Sequence, residues 1–112
     1  MRVKRLIGAA VALCAVLATL ALPAVAAVKL PVQVAAEKSF IFAKHTCAHD
    51  GNCIRYGVLN CNRQSLHVVL CRIFDERRTE AQGKYECNRL IRVALDPNTG
   101  RIPVTGQGPW HC

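Results

Sequence analysis

The sequence predicts an α+β fold: one helix packed on a small antiparallel β-meander of three to four strands, stapled by disulfides. Three observations carry this. Between Cys53 and Cys87 apolar and polar side chains alternate in runs of strand length, with four cysteines set into them. Ahead of these runs, the stretch around Phe40 repeats small and apolar side chains at helical spacing. Six cysteines fall within residues 27–112, an even count in a domain too small to bury a large core.

Residues 1–26 read as a cleavable secretory signal peptide. Arg2, Lys4 and Arg5 form a positive head, an apolar run extends from Leu6 to Leu22, and Pro23 precedes the small residues Ala24 to Ala27. A retained membrane anchor is the other reading of so long a run, but the Pro- and Ala-rich end favours cleavage. Cys14 lies within this run behind bulky Leu13, which disfavours lipid attachment, and it leaves with the signal. The mean hydropathy of +0.19 is raised by this segment. Residues 27–112 then form a single small domain with twelve basic and seven acidic side chains. Its cysteines imply an oxidising compartment, periplasmic or extracellular, with no stable membrane insertion after cleavage.

Residues 28–34 suit an extended segment, with Pro31 placing it at a sheet edge. A helix is expected over 34–46, where Ala36, Phe40, Ala43 and Cys47 share one stripe. Asp50-Gly51-Asn52 breaks it with turn chemistry. Strands follow over 54–61, 65–74 and 84–95, with 75–83 as a charged loop between the last two. Facing Phe74 with Lys84 sets Cys71 opposite Cys87, Arg72 opposite Glu86 and Ile73 opposite Tyr85. A short fourth strand is expected over 101–104, and Cys112 ties down the tail.

One sheet face then carries Ile54, Tyr56, Val58, Val69, Cys71, Ile73, Tyr85, Cys87, Ile91 and Val93, the expected core. The other carries Leu59, Leu66, Val68, Leu70, Phe74 and Leu90 among Arg55, Arg72 and Arg92, which is too apolar for a fully wetted surface. Six cysteines allow fifteen connectivities. Strand register ranks Cys47–Cys53, Cys61–Cys112 and Cys71–Cys87 first, with a rival in which Cys47 or Cys53 joins a sheet cysteine.

Catalytic and metal signals are sparse. His45 and His49 flank Cys47 close to Cys53, the one cluster of metal-ligand types, but its spacing matches no standard structural zinc pattern and the cysteines are expected in disulfides. His45, His49, His67 and His111 with several lysines bring a secreted ribonuclease to mind, yet no spacing selects an acid–base pair. No catalytic residue and no cofactor is expected. The basic side chains would draw the domain to anionic envelope components. Tyr56, Tyr85 and Trp110 form no stacking series, so no nucleic acid is expected as partner.

A helix crossing a meander, cysteines toward the C-terminal half and the dipeptide Pro109-Trp110 together resemble the plan of the secreted cystatins. The resemblance implies inhibition of cysteine proteases by wedging three elements into a cleft. Here Arg63-Gln64-Ser65 stands at the first turn in place of that family's Gln-x-Val-x-Gly. The expected function is an exported, basic binding domain with no catalytic role. Its working surface is expected at Leu59, Leu66, Leu70 and Arg92, or at Arg77 and Arg78 in the loop over 75–84, with an unknown protein or an anionic envelope component as partner. Alternatives are a small secreted protease inhibitor on the cystatin plan or a small secreted hydrolase.

Overall fold

The computed structural model describes residues 28–112; the expected signal segment, with Cys14, lies outside the described residues. Helix α1 runs over Val32–His49, followed by strands β1 (Cys53–Arg63), β2 (Val68–Thr79), β3 (Gly83–Ala94) and β4 (Val104–His111). The strands form one antiparallel sheet in the order β1-β2-β3-β4, and α1 lies across one of its faces. This is the expected α+β architecture, closed by three disulfides. No described helix is long and apolar enough to cross a membrane.

Helix α1 is longer than expected and turned by one residue. Ala35, Ser39 and Ala43 face the sheet and are buried, whereas Phe40 is 44% exposed. The reason is steric: a stripe of small side chains at intervals of four lets the helix axis approach the sheet, and a phenylalanine there would hold it off. Phe40 leans sideways onto Tyr56, ring centroids 5.2 Å apart. Pro31 precedes the first helical turn, and Leu30 before it is fully buried, so the lead-in segment is pinned from its first residues.

The core lies between α1 and the inner sheet face: Val69, Cys71, Ile73, Cys87, Ile91 and Val93 are all inaccessible to solvent. Each aliphatic side chain so buried contributes about 1.5–3 kcal/mol. Tyr56 and Val58 pack against this cluster as expected. Ile54 does not; it is 51% exposed, at a point where β1 carries an extra residue and breaks alternation.

The register differs from the expectation. Phe74 faces Asn88 rather than Lys84, so Cys71 faces Ile91, Ile73 faces Arg89 and Arg72 faces Leu90, while Glu86 meets Glu76. The expected charged loop is mostly strand. β2 continues through Thr79, and only Glu80, Ala81 and Gln82 turn the chain before Gly83, whose φ of 68° suits the left-handed position closing a three-residue hairpin loop. The slip is by an even number of residues, so every side chain keeps its face and the core survives the change. β4 lies later than expected, over Val104–His111 rather than 101–104.

Cys47 pairs with Cys53 across the turn after α1. The other expected bridges, Cys71–Cys87 and Cys61–Cys112, are replaced by Cys61–Cys71 and Cys87–Cys112. Each joins directly opposed residues of neighbouring strands. Cys61 faces Cys71 in the β1–β2 ladder, and Cys87 and Cys112 stand one step beyond the Asn88–His111 pair. With β2 and β3 aligned as observed, Cys87 faces Asp75, which removes Cys71 from its reach.

Candidate functional site

The sheet face opposite α1 is the candidate site. Across β2 and β3, Leu70 faces Arg92 and Arg72 faces Leu90, so apolar and cationic side chains form a checkerboard of four. Asn62 flanks Leu70 and Asn60 flanks Arg72 on β1, while Thr105 flanks Arg92 and Gln107 flanks Leu90 on β4. No acidic side chain stands on these rows. Arg92 is exposed; Leu70, Arg72 and Leu90 are half-buried by one another. Arg72 donates to the side-chain oxygen of Asn88 at 2.8 Å, which holds its guanidinium along the strand.

Toward the β2–β3 turn the same face becomes charge-balanced. Glu76 lies between Arg55 at 3.1 Å and Lys84 at 3.7 Å, and the Arg55 guanidinium sits 5.2 Å from the Phe74 ring centre. Gly57 makes this possible: a β-carbon there would stand 2.7 Å from the Phe74 ring. Of the arginines on this face, Arg72, Arg78 and Arg92 have no carboxylate partner among the described residues, and two of these three stand at the checkerboard.

The structure brings Leu70 and Arg92 together directly. Leu66, 45% exposed, lies in the turn leading into β2, where its carbonyl accepts the backbone N–H of Leu30. Leu59 is 50% exposed beside a bulge on edge strand β1, at a distance along the sheet from Arg92's row. Arg78 is exposed opposite Lys84 near the β2–β3 turn. Arg77 is not in a surface loop. It belongs to β2 and points to the helix side, because it partners a buried carboxylate there.

That carboxylate, Asp75, is 1% exposed. The Arg77 guanidinium grips it with two hydrogen bonds, Nε to Oδ1 at 3.0 Å and Nη2 to Oδ2 at 3.1 Å, and lies 3.3 Å from Asp50. The hydrogen bond to Asp75 is the main reason that the guanidinium is held even more firmly protonated than usual. Its other side covers the Trp110 ring at 5.0 Å. Arg77, Asp50 and Trp110, with His45, Thr46, His49 and Gly51, line an open cleft of about 520 Å³ at the C-terminal end of α1. The cleft is a poor anion trap, since two carboxylates already claim Arg77. His45 and His49 border it and are exposed, and Cys47 and Cys53 are bonded to each other. Among the described residues no group of three or more His, Cys, Asp or Glu side chains is placed to hold a metal ion. The Asp50–Arg77–Trp110 contact joins three distant parts of the chain and carries no sequence signal.

Comparison with known protein families, with curated proteins and with solved structures found no match to this chain. Fold and face together describe a disulfide-stapled α+β domain with one helix-covered and one open sheet surface.

Proposed function

We propose that the protein is an exported, non-catalytic binding domain that engages an anionic component of the cell envelope, in the periplasm or outside the cell, through the face carrying Leu70, Arg72, Leu90 and Arg92. The observation that supports this most is the checkerboard itself: two guanidinium groups without carboxylate partners among the described residues, interleaved with leucines on a sheet face that no described element covers. Arginine suits such a site because its planar fork binds phosphate and carboxylate oxygens in pairs while its stem packs on apolar neighbours. At about 1 kcal/mol per basic side chain near an anionic surface, Arg72 and Arg92 supply roughly 2 kcal/mol, a weak and salt-sensitive attraction. The probe is co-sedimentation with phosphatidylglycerol vesicles, with phosphatidylcholine vesicles as control. Binding to the anionic vesicles alone, reduced by salt and by Leu70→Asp with Arg92→Glu, supports the proposal. Equal binding to both vesicle types, or no effect of the double variant, overturns it.

A second reading, protease inhibition, has one observation in its favour. The lead-in segment, the β1–β2 turn and the β3–β4 loop meet at one end of the sheet: Leu30 N–H donates to the Leu66 carbonyl, His67 hydrogen-bonds the Val28 carbonyl and Leu95 N–H donates to the His67 carbonyl. Three adjacent elements are what the cystatin resemblance implies. Pro109-Trp110 does not join them; Trp110 sits on β4 over Arg77 beside the far end of α1. Inhibition of a papain-type protease that survives truncation of Pro109 to Cys112 but is lost on replacing Gln64 to His67 supports this reading. The absence of inhibition by the intact protein removes it.

A further inference from the structure

Helix α1 presents a second surface, unrelated to the open sheet face. On the side turned from the buried Ala35, Ser39 and Ala43, the residues Gln33, Glu37, Phe40, Ile41, Lys44 and Ala48 recur at helical spacing and are all exposed. Phe40 and Ile41 at the centre of this stripe are 44% and 48% accessible, unusual for side chains of that size in the middle of a helix. Beside them an apolar groove of about 740 Å³ runs toward edge strand β1, reaching Val58.

The charges on this stripe are arranged with a two-fold pattern. Glu37 stands three residues before Phe40 and Lys44 three residues after Ile41. Neither has an ion partner among the described residues. If a second α1 is laid antiparallel on the first, with a two-fold axis passing between Phe40 and Ile41, each Phe40 meets the other copy's Ile41. Each Glu37 then meets the other copy's Lys44, twice over. An isologous interface requires a surface complementary to itself, and this one is. Strand addition along β1, the edge beside this groove, is a poorer route to the same partner, because the bulges at Ile54 and Leu59 interrupt that edge.

We infer that α1 is the contact surface of a homodimer, a second copy of this chain packing antiparallel against the Phe40–Ile41 stripe with reciprocal Glu37–Lys44 pairs. The contact is short. Stable interfaces bury about 800 Å² on each partner, more than one helix of this length offers, so the dimer is weak, with a Kd of roughly 10–100 µM. Because α1 covers the other side of the sheet, both checkerboards remain free in the dimer, and two weak sites act together.

Sedimentation equilibrium of the protein, expressed with its own N-terminal segment and purified oxidised, tests this across a concentration series spanning that range. A monomer–dimer equilibrium is expected. Phe40→Asp is expected to leave a monomer throughout, with the helical circular dichroism retained because Phe40 lies outside the buried stripe of Ala35, Ser39 and Ala43. Glu37→Lys and Lys44→Glu singly each bring like charges together at two symmetric contacts and are expected to raise the Kd about tenfold. Combined in one chain they restore opposite charges across the interface, and the Kd is expected to return to within about threefold of the original. A monomer at every concentration overturns the inference, as does a dimer indifferent to Phe40→Asp. A double charge variant no tighter than the singles overturns it as well.

Discussion

Arg77→Met tests how β2 came to be strand where its charges suggest loop. Asp75 and Arg77 alternate onto the inner face, where the Asp75 side chain is 2% exposed and the Arg77 side chain 19%. Removing the guanidinium leaves a carboxylate buried without its two hydrogen bonds. Breaking one partner of such a buried pair costs about 3–5 kcal/mol, and the partial exposure of Arg77 argues for the lower end. Loss of the contact with Trp110 adds about 0.5–1 kcal/mol. Urea unfolding of the oxidised protein, followed by far-ultraviolet circular dichroism, measures the difference. A companion variant, Asp75→Leu with Arg77→Met, removes both charges and is expected to recover at least half of the loss, since the penalty belongs to the orphaned carboxylate rather than to the missing pair. A loss below about 1 kcal/mol in Arg77→Met, or a double variant no more stable than the single one, would refute the reasoning.

Three further outcomes are expected. Ser39→Ala should raise stability by about 1 kcal/mol in the same urea assay, because the Ser39 hydroxyl is buried without a hydrogen-bond partner among the described residues and alanine is the better helix former. The Asp96 carboxyl is held below its ordinary value of 3.8, first by the Asn98 backbone N–H and then by Thr99. A lowered folded-state value stabilises above the ordinary value and is lost as pH falls through the folded one, so the protection of the Asn98 amide, measured against its intrinsic exchange rate, should hold down to the ordinary value and fall only below it. Cys87→Ala with Cys112→Ala opens a loop with a sequence separation of 25. It should cost about 3.5 kcal/mol by the chain-entropy relation, with unreduced peptide mapping of the parent protein recovering Cys87 bonded to Cys112.

The architecture was legible because alternation of period two survives errors of register. Val69, Ile73, Ile91 and Val93 were assignable to the core, and Leu70 and Arg92 to the opposite face, from parity alone. Which residues face one another was not legible. It depends on whether Asp75 to Thr79 is loop or strand, and five polar residues in a row read as loop unless the burial of Asp75 against Arg77 is known. Two of the three disulfides were misassigned for the same reason, since cross-strand bridges follow register. The helix stripe failed through size rather than period. Phe40 is the largest apolar residue of the expected stripe, yet the close approach of α1 to the sheet selects Ala35, Ser39 and Ala43 instead. The cleft at Trp110 depends on contacts between distant segments, which no local pattern reports.

The most direct test of a working surface on the open sheet face is a titration of the isotopically labelled protein with phosphatidylglycerol bicelles, followed by backbone amide chemical shifts. The expected perturbations cluster at Asn60, Asn62, Leu70, Arg72, Leu90, Arg92 and Thr105, which are neighbours in the observed ladder. They should disappear in neutral bicelles and weaken with added salt. Perturbations confined to α1 or to the cleft at Trp110, with the β2–β3 checkerboard unmoved, would contradict the proposed surface.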